Sequence, residues 1–365
     1  MAASSDPNSS VPIRFAVIGS GWRSEFFLRI ARALPERFQI SAVLVRDPSK
    51  HAAFEAHWNL PAFSTLEQVL ATNPKFVVVS VPREVAPDCL EQLASHNMPA
   101  LCETPPAADL EALIRLHRLT ERGARIQVAE QYAFQPMHAA RLHLARSGKL
   151  GKISQAQVSV AHDYHGLNLI RRFLEVEFQN CTITAQAFNS SVIQGPGRDG
   201  PPNSEALENE QHVVARFDFG DRLGIYDFAY WSPYFSWIRS QRLLVQGTHG
   251  EIHDETVRYL EDFRTPIQLE LCRVDTGHGG NLEGHHHVGV LAGSEWFYRN
   301  PFAPARLSDD EIAVAACLQG MSEYVAGGSG FYGLPDASQD HYLTLMMQRA
   351  LETGQPVRTT SQVWS

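Results

Sequence analysis

Gly19-Ser20-Gly21-Trp22-Arg23-Ser24 stands between an apolar run at 14–19 (RFAVIG) and a segment of helical apolar spacing at 25–34. Strand, glycine turn, then helix is the arrangement that receives the pyrophosphate of a dinucleotide. The first glycine makes the tight turn and the second lets a phosphate approach the backbone. The free N–H groups and dipole of the following helix favour the anion. Ser24 is small enough for the third glycine's place. The next strand, 38–45 (FQISAVLV), lacks at its end the acid that would bind a ribose 2′-hydroxyl: Val45 stands there, followed by Arg46 and Asp47. Valine accepts no hydrogen bond, whereas a guanidinium can clamp a 2′-phosphate. The expected cofactor is NAD(P), with NADP favoured over NAD. The alternative is a solvated Arg46 with Asp47 turned in toward the ribose.

A second concentration of chemical side chains lies at 275–287, DTGHGGNLEGHHH, with four histidines and two acids in thirteen residues. Such a set has the donors for a divalent metal. Side chains alternate along a strand, however, so His285, His286 and His287 cannot all face one ion. No helical i, i+4 pair stands in for them, and no metal site is expected.

The elements around the glycine turn alternate. Strands are predicted at 14–19, 38–45, 76–81, 99–102 and 126–129, and helices at 25–34, 49–57, 87–96 and 110–122. This βαβα order predicts a doubly wound parallel sheet of Rossmann type over residues 11–130. After residue 130 the pattern changes. A helix at 138–147 is followed by strand-like runs at 153–161, 181–188, 212–219, 224–230, 242–247 and 268–273, separated by turns such as GPGRDGPP at 195–202. A second α/β domain over 131–365, with a large open, mostly antiparallel sheet, is expected, closed by helices at 309–326 and 337–352.

Composition narrows the setting. The 365 residues are 44% hydrophobic and 19% charged, with a net charge of −9 and no Lys/Arg run. Two domains are the natural division of such a length. Nucleic acid is not an expected partner, because its binding usually needs a basic face. No apolar run approaches the roughly 18 residues of a membrane span, so no membrane association is expected. The five cysteines (Cys89, Cys102, Cys181, Cys272 and Cys317) are scattered and form no CxxC. They read as reduced thiols of a cytoplasmic protein. Residues 1–10, polar and without a signal-like stretch, read as a disordered leader.

Four segments carry a resemblance that covers nearly the whole chain: AVIGSGW at 16–22, VVVSVPREVAPDCLEQLASHNMPALCETP at 77–105, EQYAFQPMHAARLHLARSGKLGKI at 130–153, and ASQDHYLTLMMQRALETGQPV at 337–357. With them the chain resembles the Gfo/Idh/MocA oxidoreductases, the family of glucose-fructose oxidoreductase and inositol dehydrogenase. The resemblance implies a cofactor site drawing on Gly19, Ser20, Gly21, Trp22, Arg23, Arg46, Ser80, Val81, Pro82, Glu103, Thr104 and Gln131. Gln131 falls where the family often has an amide near the nicotinamide carboxamide. The family's Glu-Lys-Pro is Glu103-Thr104-Pro105 here. Thr104 carries no charge and cannot assist proton transfer as a lysine does. The family's arginine before Phe-x-Pro is Ala133.

The family's catalytic histidine matches His165 in AHDYHGLNLIRRFL, with Asn168 at the place of a later aspartate and Ala161 where an aspartate precedes it. His165 is the expected base for a hydroxyl proton, since an imidazole titrates near pH 6.5. Asp163 or Tyr164 is its expected orienting group, and Tyr132 joins the catalytic set. Tyr164, His285 and His287 are expected to bind substrate, with Trp231, Tyr234, Phe235, Trp237 and Trp296 as stacking faces for a sugar ring. The resemblance implies an NAD(P)-dependent oxidoreductase acting on a small-molecule sugar, polyol or glycoside by hydride transfer at a secondary alcohol carbon. It also implies self-association as a homodimer or homotetramer. Redox-assisted glycoside cleavage with a tightly bound cofactor, and non-catalytic dinucleotide or sugar binding, are the alternatives that Thr104 leaves open.

Overall fold

The computed structural model describes residues 11–197, 200–230, 237–238, 240–277, 279 and 284–365. The expected leader, Trp231, Tyr234, Phe235, His278, Asn281 and Glu283 lie outside the described residues. Contacts divide the chain into two compact units. One comprises 1–134, 276–287 and 301–337; the other comprises 135–275, 288–300 and 338–365. A single cut at residue 130 therefore describes the division only in part.

The first unit is built on six parallel strands: β1 (Ile13–Ile18), β2 (Phe38–Leu44), β3 (Ala62–Phe63), β4 (Phe76–Val79), β5 (Ala100–Cys102) and β6 (Ile126–Val128). Their order is β3-β2-β1-β4-β5-β6. The chain reverses direction across the sheet between β1 and β4, and ligands of doubly wound sheets bind at the carboxyl ends of the strands flanking such a point. Strand β4, FVVV, is buried throughout, as a strand covered on both faces must be. Helices α1 (Ser24–Ala33), α2 (His51–Trp58), α3 (Leu66–Leu70), α4 (Ala86–Ser95) and α5 (Leu110–Glu121) connect the strands.

In the second unit nine strands form one sheet. They are β7 (Ile153–Val158), β8 (Thr182–Ile193), β9 (Leu207–Asp218), β10 (Leu223–Ala229), β11 (Leu243–Gly247), β12 (Gly250–His253), β13 (Thr256–Asp262), β14 (Thr265–Glu270) and the late β18 (Val357–Arg358). The order is β14-β13-β12-β11-β7-β10-β9-β8-β18. Among the described residues β7 and β10 pair in parallel and the other neighbours in this sheet pair antiparallel, as expected. A smaller sheet joins β15 (Cys272–Asp275), β16 (His287–Ala292) and β17 (Glu295–Arg299). Helices α6 (Pro136–Arg146) and α7 (Asp163–Leu174) precede the long hairpin of β8 and β9.

Two strand expectations change. The hairpin of β8 and β9 stays paired from Thr182↔Asp218 to Ile193↔Leu207, well past 188 and 212. Its outer half, NSSVI against LENEQ, lacks apolar alternation and so reads as loop. The run at 268–273 is two strands of different sheets, split at the buried Leu271.

The other change concerns α8 (Asp309–Val325), which belongs to the first unit. Ser308 caps it reciprocally with Glu311, and Arg29 Nε of α1 donates to Glu311 Oε1 at 2.7 Å. Ala313, Val314, Ala315, Cys317 and Leu318 are all fully buried, so α8 is covered on more than one side. A helix apolar all round belongs inside a core. The last helix, α9 (Leu334–Thr353), carries the chain into the second unit's closing segment.

Candidate functional site

In the first unit, a cleft of about 510 Å³ lies at the carboxyl ends of the parallel strands, lined by Gly19, Ser20, Gly21, Arg46, Ser80, Val81 and Pro82 among others. Gly19 has φ 113°, and a Cβ there would collide with the carbonyl oxygen of Ser80. Only glycine fits that turn. Gly21 differs: nothing lies within 4 Å of where its Cβ would stand. The turn is closed where it meets β4 and open where a phosphate would approach. Ser24 is fully buried, and its hydroxyl faces Ser80 O at 3.4 Å, so the small third position serves packing. Arg23, at the N-cap of α1, makes no capping hydrogen bond. The N–H groups of Ser24, Glu25 and Phe26 donate instead to the backbone carbonyls of Gly21, Trp22 and Arg23 at 2.9, 3.3 and 3.3 Å.

The end of β2 corrects the reading of Val45. The strand stops at Leu44, and alternation sends Leu44 and Arg46 to the cleft while Val45 is buried. Asp47 is committed elsewhere. Its Oδ1 accepts from Ser49 N at 3.0 Å and Ser49 Oγ at 2.6 Å, capping the turn at Pro48–Lys50. Those bonds hold its carboxyl below the ordinary value. The capping box of Thr65 and Gln68 at α3 sets Ser64 and Leu66 at the cleft wall. Trp22 is half exposed and meets the Phe26 ring edge-on at 5.1 Å.

Arg23 reaches the Glu103-Thr104-Pro105 loop. Its Nε donates to Glu103 Oε1 at 2.9 Å, and its Nη1 lies 3.6 Å from Asp310 Oδ2 on α8. Arg23 Nη2 is buried and finds no acceptor among the described residues. Burial pushes the Glu103 carboxyl up, partly opposed by Arg23. The Thr104–Pro105 peptide is cis. Gln131 is buried, and its Oε1 receives no hydrogen bond among the described residues. A nicotinamide dinucleotide would fit these residues: its phosphates would approach the open glycine, and the Gln131 amide oxygen, which receives no hydrogen bond among the described residues, would suit a carboxamide N–H₂. Tyr132 is in this same unit, on the turn Tyr132–Phe134, with its N–H donating to Glu130 Oε1 at 3.1 Å.

In the second unit, α7 lies against β7 and β10 because two glycines let it. A Cβ at 166 would stand 2.7 Å from Ala161 O and 2.9 Å from the Tyr226 ring, and one at 224 would stand 2.6 Å from Ile170. This docking places the first turn of α7 beside Tyr226, Phe228 and Tyr230. Asp163 N–H donates to Tyr226 Oη at 2.9 Å, and Tyr230 OH donates to Asp163 Oδ1 at 2.6 Å. The other oxygen, Oδ2, lies 3.3 Å from His162 Nδ1. Burial would raise the Asp163 carboxyl, but its bonds to His162 and Tyr230 and the charges of His162 and His165 bring it below the ordinary value. Burial, with Asp163 next to it, pushes the Tyr230 phenol up.

The Asp163 oxygens face Tyr230 and His162, and the charge of His165 also acts on its carboxyl. His165 is buried, packing on Tyr164 with ring centroids 4.4 Å apart and meeting His162 edge-on at 4.9 Å. Tyr164 also meets the buried His341 at 5.8 Å. Asn168 holds α7 to α9: its Nδ2 donates to Asp340 Oδ2 at 2.8 Å, beside Arg171 Nη1 to Asp340 Oδ1 at 2.7 Å.

Among the histidines at 285–287, His286 bonds Thr276 Oγ1 at 2.8 Å, His285 is exposed and His287 is buried. They do not converge, and among the described residues no group of metal-ligating side chains forms. Sequence reasoning missed His162, Tyr226 and Tyr230. The signal was present in YDFAY at 226–230, whose period of two puts Tyr226, Phe228 and Tyr230 on one face.

Residues 13–130 match the family model described as oxidoreductase family, NAD-binding Rossmann fold, GFO_IDH_MocA. The scyllo-inositol 2-dehydrogenase (NADP(+)) IolU of Bacillus subtilis (strain 168) is 25% identical over 220 residues, covering 56% of this chain and 67% of that one. An oxidoreductase from Agrobacterium radiobacter, solved with NAD+, L-tartaric acid and magnesium, superposes with a TM-score of 0.65 at 15% identity, over 94% of this chain and 98% of that one. A myo-inositol dehydrogenase from Corynebacterium glutamicum ATCC 13032 superposes with a TM-score of 0.64 at 15% identity, over 96% and 100%. At those identities the likeness is one of fold. Residues 13–130, the part that carries the glycine cradle, thus match the NAD-binding Rossmann unit of the GFO_IDH_MocA oxidoreductase family, and the chain shares the fold of such oxidoreductases over almost its whole length.

Proposed function

We propose that the protein oxidises a secondary alcohol of a polyol or sugar, or reduces the corresponding ketone, with NADP as the preferred cofactor. One observation carries the reading. A single chain holds both an open glycine cradle with an orphaned amide oxygen and a buried carboxylate surrounded by imidazoles and phenols. The polyol class is supported by the inositol substrate named for the Bacillus relative. Bound in the cradle, the nicotinamide supplies the hydride acceptor or donor. The chain's own residues do the rest. The backbone at 19–24 receives the pyrophosphate, and Gln131 Oε1 accepts from the carboxamide. Arg46, with Ser64 beside it in the lining, faces the 2′-phosphate, where neither Leu44 nor Arg46 can accept from a free 2′-hydroxyl. The imidazole cluster at 162–165 takes the hydroxyl proton. Thr104 contributes at most a hydrogen bond.

The test is direct. The dinucleotide that copurifies is identified, and reduction of NADP and NAD is followed over a panel of inositols, sugars and glycosides. NADP is expected to bind tighter, and Arg46→Ser to reverse that preference by about tenfold through loss of one charge-assisted contact. Binding with neither net reduction nor bond cleavage across the panel overturns the enzyme reading.

The same reading includes a homodimer or homotetramer formed through the nine-stranded sheet. The face turned away from α7 exposes Phe188, Val214 and Leu260. Light scattering at micromolar concentration is expected to give at least a dimer mass; a monomer contradicts this.

A further inference from the structure

We propose that His51 is a positioning residue for cofactor specificity: it orients the Ser64 hydroxyl as a second donor, beside Arg46, for the 2′-phosphate of NADP. The proposal deepens the cofactor reading above and rests on it. Every residue it uses belongs to the first unit.

The corner forms where β2 ends. Strand β3 lies beside it, with Val45 N–H donating to Phe63 O at 2.8 Å. Arg46 and Ser64, which follow these two residues, both come to the wall of the cleft. Ser64 is fixed from the α3 side. The Gln68 amide oxygen that completes the capping box accepts from Ser64 N and from Thr65 N, each at 3.3 Å. From the α2 side comes the half-buried ring of His51, the first residue of that helix. Its Nε2 lies 2.8 Å from the Val45 carbonyl oxygen and 3.4 Å from Ser64 Oγ.

The nearer of these contacts fixes the proton. A carbonyl oxygen only accepts, so Nε2 must be the N–H. That one N–H is shared between the Val45 carbonyl and Ser64 Oγ, a three-centre bond. Ser64 Oγ is therefore an acceptor toward His51, and the hydroxyl's own hydrogen is left to be donated elsewhere. A lone pair on Nε2 would reverse the direction and turn that hydrogen back onto the ring. With the N–H there instead, the Ser64 hydrogen is available to an acceptor in the cleft that Ser64 lines.

The corner thus presents donors and positive charge. Arg46 brings a planar guanidinium, exposed at the cleft wall. The nearby acids are engaged. Asp47 Oδ1 accepts from Ser49, and Asp88, which lines the cleft from α4, accepts from Arg115 Nη2 at 2.5 Å. A phosphate monoester carries only acceptor oxygens and nearly two negative charges, so it answers both the Ser64 hydroxyl and the guanidinium. A free 2′-hydroxyl answers the hydroxyl alone and leaves the guanidinium charge uncompensated. His51 touches no ligand in this scheme. It acts through the direction in which Ser64 donates.

The experiment measures, by calorimetry on the full-length protein, the affinities for adenosine 2′,5′-bisphosphate and adenosine 5′-monophosphate, which differ only in the 2′-phosphate. The parent is expected to prefer the bisphosphate. Ser64→Ala is expected to cut that preference about tenfold, the loss of one hydrogen bond to a charged group, with monophosphate affinity unchanged. His51→Phe keeps a ring but removes the donor, and is expected to cut the preference by about three- to tenfold. His51→Gln, which returns an N–H, should recover most of it. The double variant His51→Phe with Ser64→Ala is expected to match Ser64→Ala alone, because His51 acts through that hydroxyl. In ¹⁵N-histidine spectra, the signals that vanish in His51→Gln are expected to report the Nε2–H tautomer. An Nδ1–H tautomer overturns the proposal with no ligand present. So does a preference that survives Ser64→Ala, or a pair of losses that add in the double variant. Each of these leaves the NADP reading standing. A parent protein that binds the two nucleotides equally removes that reading, and this proposal with it.

Discussion

Gly21→Ala is expected to leave thermal stability nearly unchanged while weakening NAD(P) binding at least about tenfold, roughly 1.4 kcal/mol. Gly19→Ala is expected to lower stability by about 2–4 kcal/mol and to weaken binding as a consequence. The contrast follows from what each new methyl group would meet. At Gly19 it would strike the Ser80 carbonyl, and the φ of 113° disfavours any side chain. Two backbone segments that flank the switch between β1 and β4 would have to part. Ser80 N–H, which donates to Ile18 O at 2.9 Å, would be disturbed with them. At Gly21 no protein atom lies within 4 Å and the backbone is unstrained, so the folded chain has no reason to object. Among the described residues nothing beyond the adjacent ones would meet a methyl group there, whereas a phosphate brought close to the backbone would. Calorimetric binding and a melting curve on the two variants separate the roles. A Gly21→Ala protein that binds NADP and NAD as the parent does would remove the phosphate from this turn.

Much of this was legible because it is local. The glycine turn is specified by spacing within six residues, and β1 and β4 by unbroken apolar runs. What escaped depends on partners far along the chain. Tyr226 and Tyr230 meet Asp163 from 63 and 67 residues away, and Asn168 meets Asp340 across 172. The two tyrosine pairs exist only once β7 and β10 lie parallel and adjacent, and no pattern within either strand dictates that neighbour. The place of Val45 failed for a finer reason. In a strand, one residue decides the face, and a strand ending at Leu44 sends Leu44 and Arg46 to the cleft and Val45 to the core. At His162 the signal was chemical rather than periodic. The resemblance drew attention to His165, while the carboxylate two residues before it bonds the histidine three residues before.

Arg23→Leu is expected to destabilise the protein by about 3 kcal/mol at neutral pH, the usual consequence of leaving a buried charge without its partner. Arg23 is 19% exposed and Glu103 10%, and among the described residues no other arginine or lysine is paired with Glu103. The penalty should depend on pH in a defined direction. Burial holds the Glu103 carboxyl above its ordinary value of 4.5, with Arg23 pulling it partly back. Without Arg23 it rises further. A carboxyl that binds its proton more tightly in the folded than in the unfolded chain favours folding at low pH. That contribution is lost as pH rises through the folded value, because the unfolded state then binds fewer protons. The variant's deficit relative to the parent should therefore be small near pH 4.5 and grow toward pH 7.5. Urea unfolding at the two pH values measures it. A deficit equal at both would mean that Arg23 acts through packing on Phe26, whose ring its guanidinium covers at 4.7 Å, rather than through Glu103. Replacing both partners with leucine should recover part of the loss, since two apolar groups leave no charge stranded. Cofactor affinity should not recover with it. The double variant still lacks Nη2, the buried donor that no described residue satisfies, at the turn where the anion is expected.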